Sequence, residues 1–204
     1  MKLQLQIEQL FKSVVTSEFE ALKEIPPMQR RRLSPLAKLA LNSALNLLQH
    51  HQVDYIVWAS QFGDEEKTLN ILNDILQGEV PSPTQFSTSV HNAVAGLYSI
   101  LKKDNTISTS LSTTWSEAVV EAYAFLKTNE AKKALVVYYD APIPNIYNDL
   151  HIFEACSLAG VISLDQPNVS LDLSKLNIEN DVSAFEVFWN NPELTQSEQG
   201  VWQR

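Results

Sequence analysis

The residues of this chain that could do chemistry are few and far apart. Cys156 is the single cysteine, so an internal disulfide and a cysteine-rich metal site are both excluded. It stands in an apolar stretch, where a thiol behaves as a small inert hydrophobe rather than as a thiolate nucleophile. The histidines are His50, His51, His91 and His151. His50 and His51 close a helical pattern, where cationic character suits the helix dipole. His91 has two readings: a general base, or a buried or capping histidine at the start of a helix over 91–101. It has no partner at motif spacing, which favours the second. Thr114 would need a base beside it to act as a nucleophile, and none is visible. Thr114 and Glu117 instead match the capping box, in which hydroxyl and carboxylate reach each other's backbone amides. Arg30, Arg31 and Arg32 form the only basic cluster, with Lys38 nearby. They read as a solvated loop, or as a contact for carboxylate or phosphate, which arginine grips bidentately. No Gly-x-Ser-x-Gly elbow, P-loop, dinucleotide fingerprint or metal motif occurs, so no cofactor and no metal are expected.

The bulk properties narrow the class. The chain has 204 residues, 45% of them apolar and 19% charged, enough for one domain with a real core. A formal net charge of −9 argues against nucleic acid as a partner. Met1 to Ser13 has no signal-peptide core, and no apolar run is long enough for a membrane span, so a cytoplasmic location is expected. One domain is expected over 1–189, followed by a polar, frayed tail over 190–204.

The elements that would position these residues follow from periodicity. Leu3, Leu5 and Ile7 alternate as in a half-buried strand; a helix running on through Leu10, Phe11 and Val14 fits as well. Pro26-Pro27 breaks the chain. Ser34-Pro35 then suits a helix start, and Leu36, Leu39, Ala40, Leu41, Leu45, Leu47 and Leu48 give that helix so wide an apolar surface that it must be buried. Val53 to Ala59 reads as a central parallel strand. Asp64, Glu65 and Glu66 suit the N-terminus of a helix whose apolar face is Leu69, Leu72 and Leu76, with Gly78 ending it. After Pro81-Ser82-Pro83-Thr84, residues Val90, Ala93, Val94, Leu97 and Leu101 mark one helix face, and Asn92, Gly96 and Ser99 mark a small or polar stripe. A glycine inside a helix costs about 1 kcal/mol, so Gly96 points to close packing. Ile107, Thr109 and Leu111 alternate with Ser108, Ser110 and Ser112 in a strand. A helix over Trp115–Lys127 and a buried strand over Ala134–Tyr139 follow. Beyond Pro144 the pattern weakens, with strands read at Ala155–Leu164 and from Val169 and a short helix at Phe185–Trp189.

Three ordered motifs carry a resemblance: Arg30-Arg31-Arg32-Leu33-Ser34-Pro35, Ala59-Ser60-Gln61-Phe62-Gly63-Asp64, and Pro83 to Ile100. Together, over Pro26 to Pro142, they resemble the short β-ketoacyl-synthase-like proteins that match only the N-terminal half of a ketosynthase. Members occur in aryl-polyene and related type II polyketide or fatty-acid clusters, often as chain-length factors. The resemblance implies an α/β fold, the N-terminal half of the thiolase-like architecture: a mixed, mostly parallel sheet of about five strands with helices on both faces. It places the ketosynthase nucleophile within Ser112 to Glu117, where this chain has no cysteine. The histidines of a ketosynthase's second half lie beyond the length matched, and His91 is not at their position. The implied function is therefore a non-catalytic, chain-length-factor-like subunit. The alternatives are a Ser/Thr-dependent acyl-transferring or thioester-hydrolysing enzyme, in which His91 could touch an acyl pocket, and a homodimeric scaffold without acyl contact. Implied partners are a second copy or a full-length ketosynthase, and an acyl carrier protein met by Arg30, Arg31 and Arg32. Ketosynthases pair through the strand before the nucleophile. Here that strand is Ile107, Ser108, Thr109, Ser110, Leu111 and Ser112, with Asn92, Gly96 and Ser99 beside the same axis. It carries no charge and no proline, so its edge is poorly protected. Thr109→Pro is expected to disrupt the pair.

Overall fold

The structure, a computed structural model, describes residues 1–147, 153–176 and 181–204. Its elements, in order, are strand β1 (Lys2–Val14), helices α1 (Pro27–Arg30) and α2 (Pro35–Leu48), strand β2 (Tyr55–Ala59), helices α3 (Glu65–Leu76), α4 (Pro83–Ser89) and α5 (Ala93–Lys102), strand β3 (Ile107–Leu111), helix α6 (Trp115–Thr128), strands β4 (Lys133–Asp140), β5 (Cys156–Ser163) and β6 (Val169–Asp172), helix α7 (Asp181–Asn190) and strand β7 (Trp202–Gln203). Ala155–Leu164 and the alternation from Val169 thus become β5 and β6.

The strands form one sheet in the order β3-β2-β4-β5-β1-β6-β7. β2 pairs in parallel with both β3 and β4, and β5 runs antiparallel to β4 and β1. β1, β2, β3, β4 and β7 therefore point one way, and β5 and β6 the other. The sheet has seven strands where about five were expected. The additional pair, β6 and β7, extends it beyond β1. β7 has only two residues, too few for an alternating pattern to reveal.

Every residue of β2 is buried, as its flanking by two strands requires. Alternate side chains feed two cores. Ile56, Trp58, Leu135, Val137 and Tyr139 pack against α2 and α5 on one face. Tyr55, Val57, Val136, Tyr138 and Leu158 pack against α6 and α7 on the other. In α2, ten of the fourteen residues are buried, and Ser34 caps the helix by accepting from the amide of Ala37 at 3.2 Å. β1 is a strand throughout, not the start of a helix, with a bulge between Ile7 and Gln9.

Three expectations need correction. The helix read over 91–101 is α5, but Val90, read on its face, is extended and exposed, and a separate helix, α4, precedes it and ends at Ser89. The face read on α3 is not its buried one. Ile71 is the helix's buried side chain, while Leu72 and Leu76 face solvent. The tail over 190–204 is not frayed. Trp202 is 1% exposed and packs against Phe185, the ring centroids 4.7 Å apart and the planes tilted by 55°. Arg204 donates to the carbonyls of Phe188, Trp189, Asn191 and Leu194, closing the C-terminal end of α7, and its guanidinium lies 4.1 Å from the Phe188 ring. A tail polar in composition is thus held by one tryptophan and one arginine. Arg204→Ala should destabilise the protein by about 1–2 kcal/mol, through lost charge-assisted bonds and ring contact. Urea unfolding reads this out, and an unchanged midpoint would return the tail to the frayed description.

Candidate functional site

The C-terminal ends of β2, β3 and β4 meet the N-terminus of α6. Asp140 ends β4 and is 1% exposed. Its carboxylate accepts from the Ser60 hydroxyl at 2.6 Å and from the amides of Gln61 at 2.9 Å and Phe62 at 3.2 Å. Burial pushes its pKa up, and these bonds pull it part of the way back. The Ser60 hydroxyl in turn accepts from the amide of Gly63 at 2.7 Å, and Gly63 has φ +75°, which glycine adopts without strain. The loop Ser60–Gly63 is therefore wrapped around one buried carboxyl. Tyr138 donates to Gln61 at 3.0 Å and Ser112 to the Gln61 carbonyl at 3.1 Å, fixing the same loop from β4 and from the end of β3.

His91 joins this loop. Its Nε2 lies 3.1 Å from the Ser60 carbonyl, an acceptor only, so Nε2 carries the proton. The bond goes to backbone, with no hydroxyl or thiol in that place. Beside His91, Gly63 and Tyr139 is a slot of about 20 Å³, walled by Leu36, Ala37, Val94 and Leu97. It suits one water, which would meet the buried Tyr139 hydroxyl, otherwise without a partner. An acyl chain does not fit there.

The start of α6 is occupied by the chain's own groups. Thr114 is buried and its hydroxyl accepts from the amide of Glu117 at 3.3 Å, while the Glu117 carboxylate accepts from the Thr114 amide at 3.2 Å. The carboxyl of Glu117 is held below its ordinary range, chiefly by its bond from Thr113. Asp181, at the start of α7, accepts from the Ser116 amide at 2.7 Å and the Ser116 hydroxyl at 2.5 Å. Trp202 Nε1 donates to the same hydroxyl at 2.8 Å. Burial raises the Asp181 pKa as it does that of Asp140. The amide of Ala118 bonds to the Thr114 carbonyl. The amides of Ser116, Glu117 and Ala118 that could stabilise an incoming anion are therefore all taken.

The remaining sequence candidates lie apart from this cluster. Cys156 begins β5, and burial pushes its thiol up to about 11, away from nucleophilic use. Arg31 and Arg32 are exposed, whereas Arg30 is half-buried and donates at 3.4 Å to the Leu22 carbonyl. His51 meets Gln9 and Glu8, and His151 lies outside the described residues. Ile107 to Leu111 form β3, one edge of the sheet, and Asn92, Gly96 and Ser99 are exposed around α5. Asp140, Asp181 and Trp202 are not site candidates from sequence, and Ser60 and Ser116 enter there only as members of the Ala59–Asp64 motif and the Ser112–Glu117 stretch. The available signal for the first was its position, an acid closing a continuous apolar strand. A larger cleft of about 500 Å³ opens at the other ends of β2 and β3. Its carboxylates are already engaged: Glu24 by Lys102 and Gln49, Asp54 by the amides of Lys132 and Lys133, and Asp104 by Tyr98 and Thr106. Among the described residues, no group of His, Cys, Asp or Glu is placed to hold a metal, and no helix is long and apolar enough to cross a membrane.

The family described as the β-ketoacyl synthase N-terminal domain matches residues 6–201. The chain belongs to that family. Among solved structures, it is similar to the ketosynthase ApeO in complex with its chain length factor ApeC from Xenorhabdus doucetiae, with 24% identity, 99% of this chain and 100% of the other covered, and a TM-score of 0.81. It is also similar to the ishigamide ketosynthase/chain length factor, with 15% identity, coverage of 78% of this chain and 55% of the other, and a TM-score of 0.57. A third likeness is to AntDE:AntF, a type II polyketide synthase acyl-carrier protein in complex with its ketosynthase, with 12% identity, coverage of 84% and 68%, and a TM-score of 0.57. At these identities the likeness is one of fold. No curated protein matches. The ketosynthase family sets this fold as the N-terminal half of the thiolase-like architecture, with helices on both faces of a mixed sheet.

Proposed function

We propose that this chain is a non-catalytic, chain-length-factor-like subunit of a cytoplasmic polyketide, aryl-polyene or fatty-acid-type assembly line, and that it pairs with a copy of itself or with a full-length ketosynthase. The observation that carries this reading is the start of α6. No cysteine stands there, and Thr114 and Asp181 hold the first-turn amides that an oxyanion would need. The likeness to ketosynthase and chain-length-factor complexes supports the pairing. The Ser/Thr-enzyme reading is disfavoured, since Ser116 donates to a carboxylate already committed to a helix start and Thr114 serves as a cap.

Incubated with acyl and malonyl carrier-protein thioesters, the pure chain should show no added acyl mass and release no β-ketoacyl product. Intact mass spectrometry is the measurement, and covalent acylation at Ser or Thr would overturn the proposal.

Contact with an acidic acyl carrier protein belongs to the same proposal, through Arg31 and Arg32, with Arg30 partly spent on the Leu22 carbonyl. Arg31→Glu with Arg32→Glu should keep the melting temperature and weaken carrier binding several-fold, and the native contact should fade with salt. Titration calorimetry giving equal affinities would reduce the arginines to a solvated loop.

A further inference from the structure

The cleft of about 500 Å³ lies at the N-terminal ends of β2 and β3, away from the Asp140 loop and the start of α6. Its volume is that of a small-molecule site. Leu45, Leu48, Val53 and the ring of Tyr98 give it an apolar wall, and three carboxylates, Glu24, Asp54 and Asp104, stand around it. All three are held below the ordinary carboxylate range: Glu24 by its bonds from Lys102 and Gln49, Asp54 by the amides of Lys132 and Lys133, and Asp104, in spite of its burial, by Thr106 and Tyr98. At neutral pH all three are therefore charged. The last turns of α2 and α5 also line the cleft, and helix C-termini add negative partial charge. Among the described residues Lys102 is the one lysine or arginine of the lining. Lys133 is spent on Glu8 at 2.6 Å, and Lys132, which also favours the charged Asp54, stands outside the lining. The cleft already holds one ammonium: Lys102 Nζ lies 2.5 Å from Glu24 Oε2 and ties the end of α5 to the short turn Ala21–Glu24. Asp54 and Asp104 accept only from uncharged donors, which orient a carboxylate without cancelling its charge.

We infer that this cleft binds a small organic ammonium, an amine carried on an apolar body. The body lies on Leu45, Leu48 and Tyr98, and the amine faces Asp54 and Asp104. Lys102 is the built-in competitor, since its own ammonium occupies part of the same field. A metal ion suits the cleft less well, because the carboxylates are spread around it and not grouped to ligate one. A carboxylate or phosphate ligand would meet the uncancelled negative charge and be repelled. None of the lining residues belongs to β3 or α6, so this site is separate from the pairing edge and from the cluster at the start of α6.

The test is titration calorimetry of the full chain with tryptamine, with its uncharged isostere 3-ethylindole, and with magnesium ion. Tryptamine should bind one to one, and the other two at least about tenfold more weakly. Lys102→Met removes the competing ammonium and should tighten tryptamine binding about threefold or more, an effect opposite to that of a damaged fold. Asp54→Asn with Asp104→Asn keeps an acceptor for the amides of Lys132, Lys133 and Thr106 and should weaken binding about tenfold. Equal affinities in wild type and both variants would reduce the effect to diffuse attraction by an acidic chain and overturn the site. Binding of 3-ethylindole as tight as that of tryptamine would overturn the choice of a cation, and tighter binding of magnesium would overturn the choice of an organic one. No heat with tryptamine for wild type and Lys102→Met alike sinks the inference and leaves the proposed function untouched.

Discussion

Ser110→Pro is expected to weaken pairing through the sheet edge while leaving the fold intact. The reason lies in which backbone groups of β3 are free. The Leu111 carbonyl accepts from the Ser60 amide, and the Thr113 amide donates to the Ser60 carbonyl. Backbone groups alternate in direction along a strand, so Ile107, Thr109 and Leu111 bond inward to β2, and Ser108 and Ser110 face outward. Proline at 110 therefore removes an outward donor and spares the internal ladder, a position that edge strands tolerate. Thr109→Pro, the substitution suggested by sequence, would cut the β2–β3 ladder as well and confuse unfolding with dissociation. For Ser110→Pro we expect a melting temperature within a few degrees of wild type and at least a roughly tenfold loss of affinity, given about 0.5–1.5 kcal/mol per strand bond plus the blocked approach. Sedimentation of the complex at graded concentrations measures it. Unchanged affinity would show that β3 does not pair.

Asp140→Ala should cost about 3 kcal/mol, since it leaves the Ser60 hydroxyl and two amides without their acceptor. The cost should depend on pH. Burial raises the Asp140 pKa above its ordinary 3.8, so the folded chain holds this proton more tightly than the unfolded chain does. The stability that Asp140 contributes is then complete below the unfolded-state value and declines as pH rises through the folded one. The gap between wild type and Asp140→Ala should be wider at acid pH than at neutral pH. Carboxylates held low, such as Glu8 and Asp54, lose their contribution as pH falls, but they do so in both proteins and cancel in the difference. Urea titrations of the two proteins at several pH values decide it, and a gap that widens toward neutral pH would mean the carboxyl is held low, not high.

The parts of the fold legible in the sequence were those written as periodicity. Tyr55 to Ala59 and Ala134 to Tyr139 are continuous apolar runs because they lie between neighbours on both sides, and their strands sit in mid-sheet. Thr114 and Glu117 were readable because both members of a capping box lie within one turn. The carboxyl-centred site was not, because its pairings span the chain: Ser60 to Asp140 over 80 residues, and Ser116 to Trp202 over 86. No local pattern joins such residues. The face of α3 failed for another reason. Leu69, Leu72 and Leu76 do keep helical spacing, but periodicity says that a face is apolar, not whether the same chain covers it.

The two ends of the sheet differ in a way that bears on stoichiometry. Beyond β1 the sheet closes with β6 and the two-residue β7, whose Gln203 is bridged by Gln196 from its own loop. At the other end β3 stands open. One strand added at β3 covers that edge, so at this end the sheet can be lengthened once and growth there stops. Such a chain acts as a chain terminator in β-sheet assembly, and raising its concentration should saturate a partner's edge without seeding higher aggregates.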